Sequence, residues 1–137
     1  MAEPSEPLWL DENEVTAICA QAVAMFGGLS GALRDENLLK AALGRPLNKW
    51  HYDDPKPDLF DLAAAYCFAL VKGHAFQDGN KRTAYIAAVV FLEVNGFVCA
   101  PEQADIVTTM LDAAKGTVTE SQLADWFRTN SHALARS

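Results

Sequence analysis

Residues 80–96 read Asn-Lys-Arg-Thr-Ala-Tyr-Ile-Ala-Ala-Val-Val-Phe-Leu-Glu-Val-Asn-Gly, and the fold class turns on whether this run is a helix or a strand. Ile86, Val89, Val90 and Val94 suit a strand by their branching. The run is nevertheless longer than an ordinary strand of about 5–6 residues, and Asn95-Gly96 closes it as helices are closed. Residues 84–92 are apolar without interruption, so the helix has no polar face and belongs in the interior. Upstream, residues 59–71 are apolar on nearly every face, with Asp58 as N-cap and Gly73 as stop, and predict a second buried helix. Between the two stand His74-Ala75-Phe76-Gln77-Asp78-Gly79-Asn80-Lys81-Arg82, a polar loop set between buried segments.

Four further helices complete the pattern. The first starts at Asp11, where Glu14 makes a capping-box pair, carries Val15, Ile18, Cys19, Ala22, Val23 and Phe26 on one face, and ends at Gly27-Gly28. A shorter one is expected over residues 35–43, stopped by Gly44 and Pro46, and residues 47–57 then read as a loop or extended flap. Pro101 and Glu102 open a fifth, with Ile106, Val107, Met110, Leu111 and Ala114 expected inward and Gly116 at its end. Thr119 and Gln122 cap a sixth, whose inner face is Leu123, Trp126 and Phe127. The sum is an all-α, compact bundle of about six helices around a central buried one. Residues 1–10 form a loose arm whose Leu8, Trp9 and Leu10 are able to dock on the core, residues 11–130 a single domain, and residues 131–137 a tail.

A chain of 137 residues is long enough to bury a core without disulfides or a structural metal. Cys19, Cys67 and Cys99 sit inside apolar patterns with no Cys-x-x-Cys pair, and read as reduced core thiols of a cytosolic protein. No run reaches the ~18 apolar residues of a membrane span, and residues 1–7 are acidic and proline-bearing, unlike a signal peptide. A soluble, cytoplasmic chain with no membrane partner is therefore expected. A net charge of −7 disfavours direct nucleic-acid binding, which needs a basic face, and suits a basic partner segment.

Against that acidic background, Lys81 and Arg82 beside His74 are a local cationic cluster. At the start of a helix, cations oppose the macrodipole unless an anion lies between them and the backbone N–H groups of the first turn. Gly79 lets the turn Asp78-Gly79-Asn80-Lys81 aim successive N–H groups at a phosphate. Asp78 supplies the single carboxylate with which Mg²⁺ is usually held beside phosphates, and His74 a base able to accept the proton of an attacking hydroxyl. Each has an ordinary structural reading: the histidine as a helix cap, Asp-Gly-Asn as a turn, Lys-Arg as a solvated pair. Together in one loop they are the parts of phosphoryl-type transfer. Phe76 reads as the apolar anchor of the loop.

The nonapeptide resembles the signature of the Fic/Doc superfamily, His-x-Phe-x-Asp/Glu-Gly/Ala-Asn-x-Arg, and specifically its death-on-curing (Doc) toxin branch. The likeness extends through Gly27-Gly28-Leu29, Lys72-Gly73-His74, Asn80-Lys81-Arg82-Thr83-Ala84 and Phe91-Leu92 before Asn95-Gly96. It implies an all-helical Fic core, with His74 as general base, Asp78 holding Mg²⁺, Gly79 and Asn80 shaping the phosphate cradle, and Arg82 clamping phosphate. AMP-transferring members have Gly where this chain has Lys81, and usually a further Arg where it has Tyr85. Both departures point to transfer of the terminal phosphate of ATP, with Lys81 in the cradle, as in Doc-like kinases acting on elongation factor Tu and arresting translation. AMP or nucleotidyl transfer, and a catalytically idle Fic-fold module acting as co-repressor with an antitoxin, are the alternatives.

The resemblance also implies that residues 47–54 act as a flap aligning a target by strand-like pairing. Trp50 and Tyr52 then either grip that target or tuck the segment against the core. Self-inhibiting Fic proteins carry Ser/Thr-x-x-x-Glu-Gly/Asn. The Glu-Asn pairs at Glu12 and Glu36 have Leu8 and Ala32 at the hydroxyl position, so inhibition is expected from a separate antitoxin with a disordered tail.

Overall fold

The computed structural model describes residues 5–28 and 32–135; residues 1–4 of the arm, residues 29–31, residues 136–137 of the tail and the side chain of Phe26 lie outside that description. Six α-helices and one two-stranded antiparallel sheet follow in the order α1 (Glu12–Phe26), α2 (Glu36–Tyr52), α3 (Leu59–Gly73), α4 (Asn80–Val94), β1 (Phe97–Cys99), α5 (Gln103–Lys115), α6 (Glu120–Thr129) and β2 (Ser131–Ala133). The all-α expectation holds: the run from residue 80 is helical, and the sheet is three residues long on each strand.

Local signals set most boundaries. Asp11 and Glu14 form a reciprocal capping box on α1, Thr119 and Gln122 another on α6, and Asp58 with Asp61 a third on α3. The centre is the α3–α4 pair. Residues 62–67 of α3 are wholly enclosed, and α3 packs against α2, α4, α5 and α6. On α4, Ala84, Ala87, Ala88, Phe91 and Leu92 are completely buried. The alanines let the two helices approach closely, while Phe91 spreads its ring beneath Tyr66 and Trp9. The end of the arm docks there too, since the Leu10 N–H donates to the Tyr66 hydroxyl at 3.0 Å and Leu8 exchanges two hydrogen bonds with the Asn95 amide. Residues 131–133 pair in register with residues 99–97.

The second helix departs from expectation. It runs from Glu36 to Tyr52 with Pro46 inside it, so residues 47–52 are helical and not an extended flap. A proline in a helix interior removes one hydrogen bond and costs about 3 kcal/mol. Leu39, Ala42, Leu43, Pro46 and Trp50 lie on one buried face, however. Burying a tryptophan side chain alone removes about 150–250 Å² from water, worth at most about 4–6 kcal/mol. Tertiary burial outweighs the local penalty, helped by Arg45 and Lys49, which reach Glu120 at the start of α6 at 3.1 Å and 3.8 Å.

Candidate functional site

The loop between α3 and α4 is held by hydrogen bonds at both ends. His74 is the C-cap of α3 in the left-handed conformation, with φ 49° and ψ 44°, and is the non-glycine residue with positive φ among the described residues. Phe76 is 2% exposed and bridges to Leu33. The Ala75 carbonyl accepts from the Arg34 and Asp35 N–H groups, and the Gln77 N–H donates to the Ala32 carbonyl. Asn80 closes the loop with its side chain: its Oδ1 accepts from the Phe76 N–H at 3.1 Å, and its Nδ2 donates to the Phe76 carbonyl at 2.9 Å. The Asn80 side chain is thus a loop clasp.

Asp78 and Gly79 rest on the C-terminal half of α1. The Gly79 N–H donates to Asp78 Oδ1 at 2.8 Å, and the buried Cys19 thiol donates to the Asp78 carbonyl at 3.4 Å. Burial pushes the Cys19 thiol up from its ordinary range, so it stays a protonated donor. Gly79 is left-handed, with φ 76°, and a Cβ there would meet Val23 at 3.0 Å; one on Gly28 would meet Asp78 Oδ2 at 2.8 Å. Gly79, the N-cap of α4, makes no side-chain cap, and the first turn of the helix holds no acid. Lys81 and Arg82 stand there exposed, Arg82 reaching the Gly27 carbonyl at 3.5 Å.

These residues line a cleft of about 580 Å³ between the loop and α5, so His74, Asp78, Gly79, Asn80, Lys81 and Arg82 are brought together. Trp50 and Tyr52 do not line it. Trp50 is 7% exposed, set edge-on to Trp9 with Lys56 over its ring, whereas Tyr52 is 82% exposed at the end of α2. The opposite wall escaped sequence reasoning. Val107 and Leu111, expected in the core, are 54% and 40% exposed and face the cleft with Ile106, while Met110 is buried between them. Periodicity identifies an apolar face but not whether it meets a core or a cavity; the signal available was that α5 carries more apolar side chains than one buried stripe needs.

Tyr85 also lines the cleft, one turn beyond Arg82. Its ring packs against Trp126 and Phe127, and burial first, then contact with Cys99, pushes its hydroxyl far above the ordinary tyrosine range. Sequence reasoning missed Arg34. Its guanidinium donates to the His74 carbonyl from Nε at 2.9 Å and from Nη2 at 2.6 Å.

Among the described residues no group of three or more His, Cys, Asp and Glu is placed to hold a metal by itself. Asp78 alone beside the uncapped turn of α4 suits an ion such as Mg²⁺, which takes one or two protein carboxylates and completes its shell with water and phosphate oxygens. Chemically the cleft brings together an imidazole, a helix N-terminus with two cations, a carboxylate and an apolar wall. No helix among the described residues is long and apolar enough to cross a membrane.

A sequence model of the Fic/DOC family matches residues 9–92. The chain is similar to the protein named protein kinase doc of Escherichia phage P1, at 35% identity over 121 residues covering 87% of this chain and 92% of the relative. It is also similar to the protein named toxin Doc of Mycolicibacterium smegmatis, at 42% identity over 94 residues covering 69% of each chain.

Proposed function

Because the chain belongs to the Fic/DOC family, we propose that it is a Doc-type toxin and a phosphotransferase, moving the terminal phosphate of ATP to a protein hydroxyl. The observation that carries this is the cleft in which His74, Asp78 and the uncapped start of α4 meet Lys81 and Arg82. His74 accepts the proton of the target hydroxyl as its oxygen bonds to the γ-phosphorus; the bond from that phosphorus to the β-phosphate oxygen breaks, and ADP leaves. Gly79 shapes the turn, Asn80 offers its backbone N–H group, and Lys81 and Arg82 offset the charge spreading over the phosphate oxygens. Asp78 is the residue that would hold Mg²⁺, which when bound neutralises phosphate charge.

Two observations favour the terminal phosphate over AMP. Lys81 adds charge and bulk beside the start of α4, and Tyr85 stands where the family resemblance gives AMP-transferring members a second arginine. The relative named as a protein kinase points the same way. The proposed target is translation elongation factor Tu, whose modification arrests translation in the cytoplasm, and a separate antitoxin with a disordered tail supplies inhibition. Tyr52, exposed at the end of α2, remains available to touch the target.

Purified protein with Mg²⁺ and a bacterial translation extract, given γ-labelled and α-labelled ATP in parallel, tests this. Label is expected on a protein band from γ-labelled ATP alone, and lost with His74→Ala. Transfer from α-labelled ATP would replace the proposal with nucleotidyl transfer, and growth arrest that survives His74→Ala would replace it with a non-catalytic module.

A further inference from the structure

His74 presents its side chain to the cleft from a backbone conformation that side-chain-bearing residues seldom adopt, and such a conformation persists only where surrounding groups fix it. Arg34 reaches this residue. Both Nε and Nη2 donate to the His74 carbonyl, at 2.9 Å and 2.6 Å, from forty residues away in sequence. A planar guanidinium whose two N–H groups converge on one carbonyl oxygen holds that oxygen, and with it the following peptide, more firmly than one point donor can. The placement is also favourable for the charge, since a cation at the C-terminal end of α3 complements the helix dipole.

Arg34 is itself anchored. Its own N–H and that of Asp35 donate to the Ala75 carbonyl at 2.8 Å and 3.1 Å. Asp35 is the N-cap of α2, its carboxylate accepting from the Asn37 and Leu38 N–H groups, and α2 is fixed to the core by Leu39 and Trp50. A continuous chain of bonded groups therefore runs from the buried face of α2, through the cap, to the backbone that aims His74.

We propose that Arg34 is a positioning residue for His74, holding the imidazole in its productive orientation without touching the reacting atoms. This rests on the reading of His74 as the base. A base displaced by about 1 Å loses on the order of 10²-fold in rate while substrates still bind, so the loss falls on kcat rather than KM.

The test compares wild type, Arg34→Ala and Arg34→Lys. In the γ-label assay, Arg34→Ala is expected to lower kcat on the order of 10²-fold with KM for ATP changed less than about threefold, and Arg34→Lys to recover part of it. Independently of any activity, the His74 amide, its φ-dependent coupling and its imidazole resonances in labelled protein are expected to shift in Arg34→Ala. Should Arg34→Ala unfold, Arg34→Gln, which keeps an amide donor, supplies the same comparison. Unmoved His74 resonances, or a loss confined to KM, overturn the proposal. If wild-type protein transfers no label, the functional reading fails, and the resonances alone decide whether Arg34 orients His74.

Discussion

At Gly28 the backbone holds φ 137°, and an added Cβ would come within 2.8 Å of the Asp78 Oδ2 carboxylate oxygen. Alanine there must both adopt a region that side chains avoid and push the carboxylate aside. Gly28→Ala is expected to lower the free energy of unfolding by about 1–3 kcal/mol in urea titrations and to weaken Mg²⁺-dependent nucleotide binding. Gly44, inside α2 with open space around it, is the control: Gly44→Ala is expected to stabilise by about 0.5–1 kcal/mol. The resemblance drew attention to Gly27-Gly28, but not to the reason, which is a close approach between segments fifty residues apart. That His74, Asp78, Lys81 and Arg82 gather in one loop was legible, because charge and dipole effects belong to residue types and to neighbours a few positions away. The part Asn80 plays was legible only in outline: its side chain is occupied with Phe76.

Among the elements, α2 carries the sharpest contrast. Its two aromatics are separated by one residue and read alike in the sequence, yet Trp50 is enclosed and Tyr52 is 82% exposed. Trp50→Ala is expected to cost about 3–5 kcal/mol in denaturant unfolding. Tyr52→Ala is expected to stay within about 0.5 kcal/mol of wild type, and to raise KM for the protein target if the end of α2 is a docking site. Equal stability losses for the two would contradict the packing. Pro46 made the helix look finished at residue 43, and propensity counted over a short window cannot see that residues 46 and 50 continue a buried face. The boundaries of α1, α3, α4 and α6 were legible for the opposite reason, since their caps and stops lie within four residues of the ends they define.

Across the whole molecule, Arg128 of α6 reaches Asp58, the N-cap of α3, at 2.8 Å and Asp61 at 3.4 Å, joining the last helix to the central one. Burial alone would raise the Asp58 carboxyl, but the Asp61 N–H and the Arg128 guanidinium outweigh it and hold it below the usual aspartate range. The folded protein therefore binds that proton less readily than the unfolded chain. The resulting stability is present above the ordinary aspartate range and is lost as pH falls through the depressed value. Asp58→Asn keeps a capping oxygen and removes the charge, so the difference in Tm from wild type is expected to be small at pH 7, in keeping with ~0–1 kcal/mol for an exposed pair, and to vanish in acid. A difference that widens on acidification would refute the assignment. The sequence by itself determined that there are six helices, the N-terminal caps of α1, α3 and α6 and the polar make-up of one loop, because hydrophobic period, capping and charge act over a few residues. Only the tertiary structure decided that α2 continues through Pro46, that α5 turns Val107 and Leu111 to the cleft, and that Arg34 grips His74. Those outcomes depend on burial and pairing between segments distant along the chain, which no local pattern encodes.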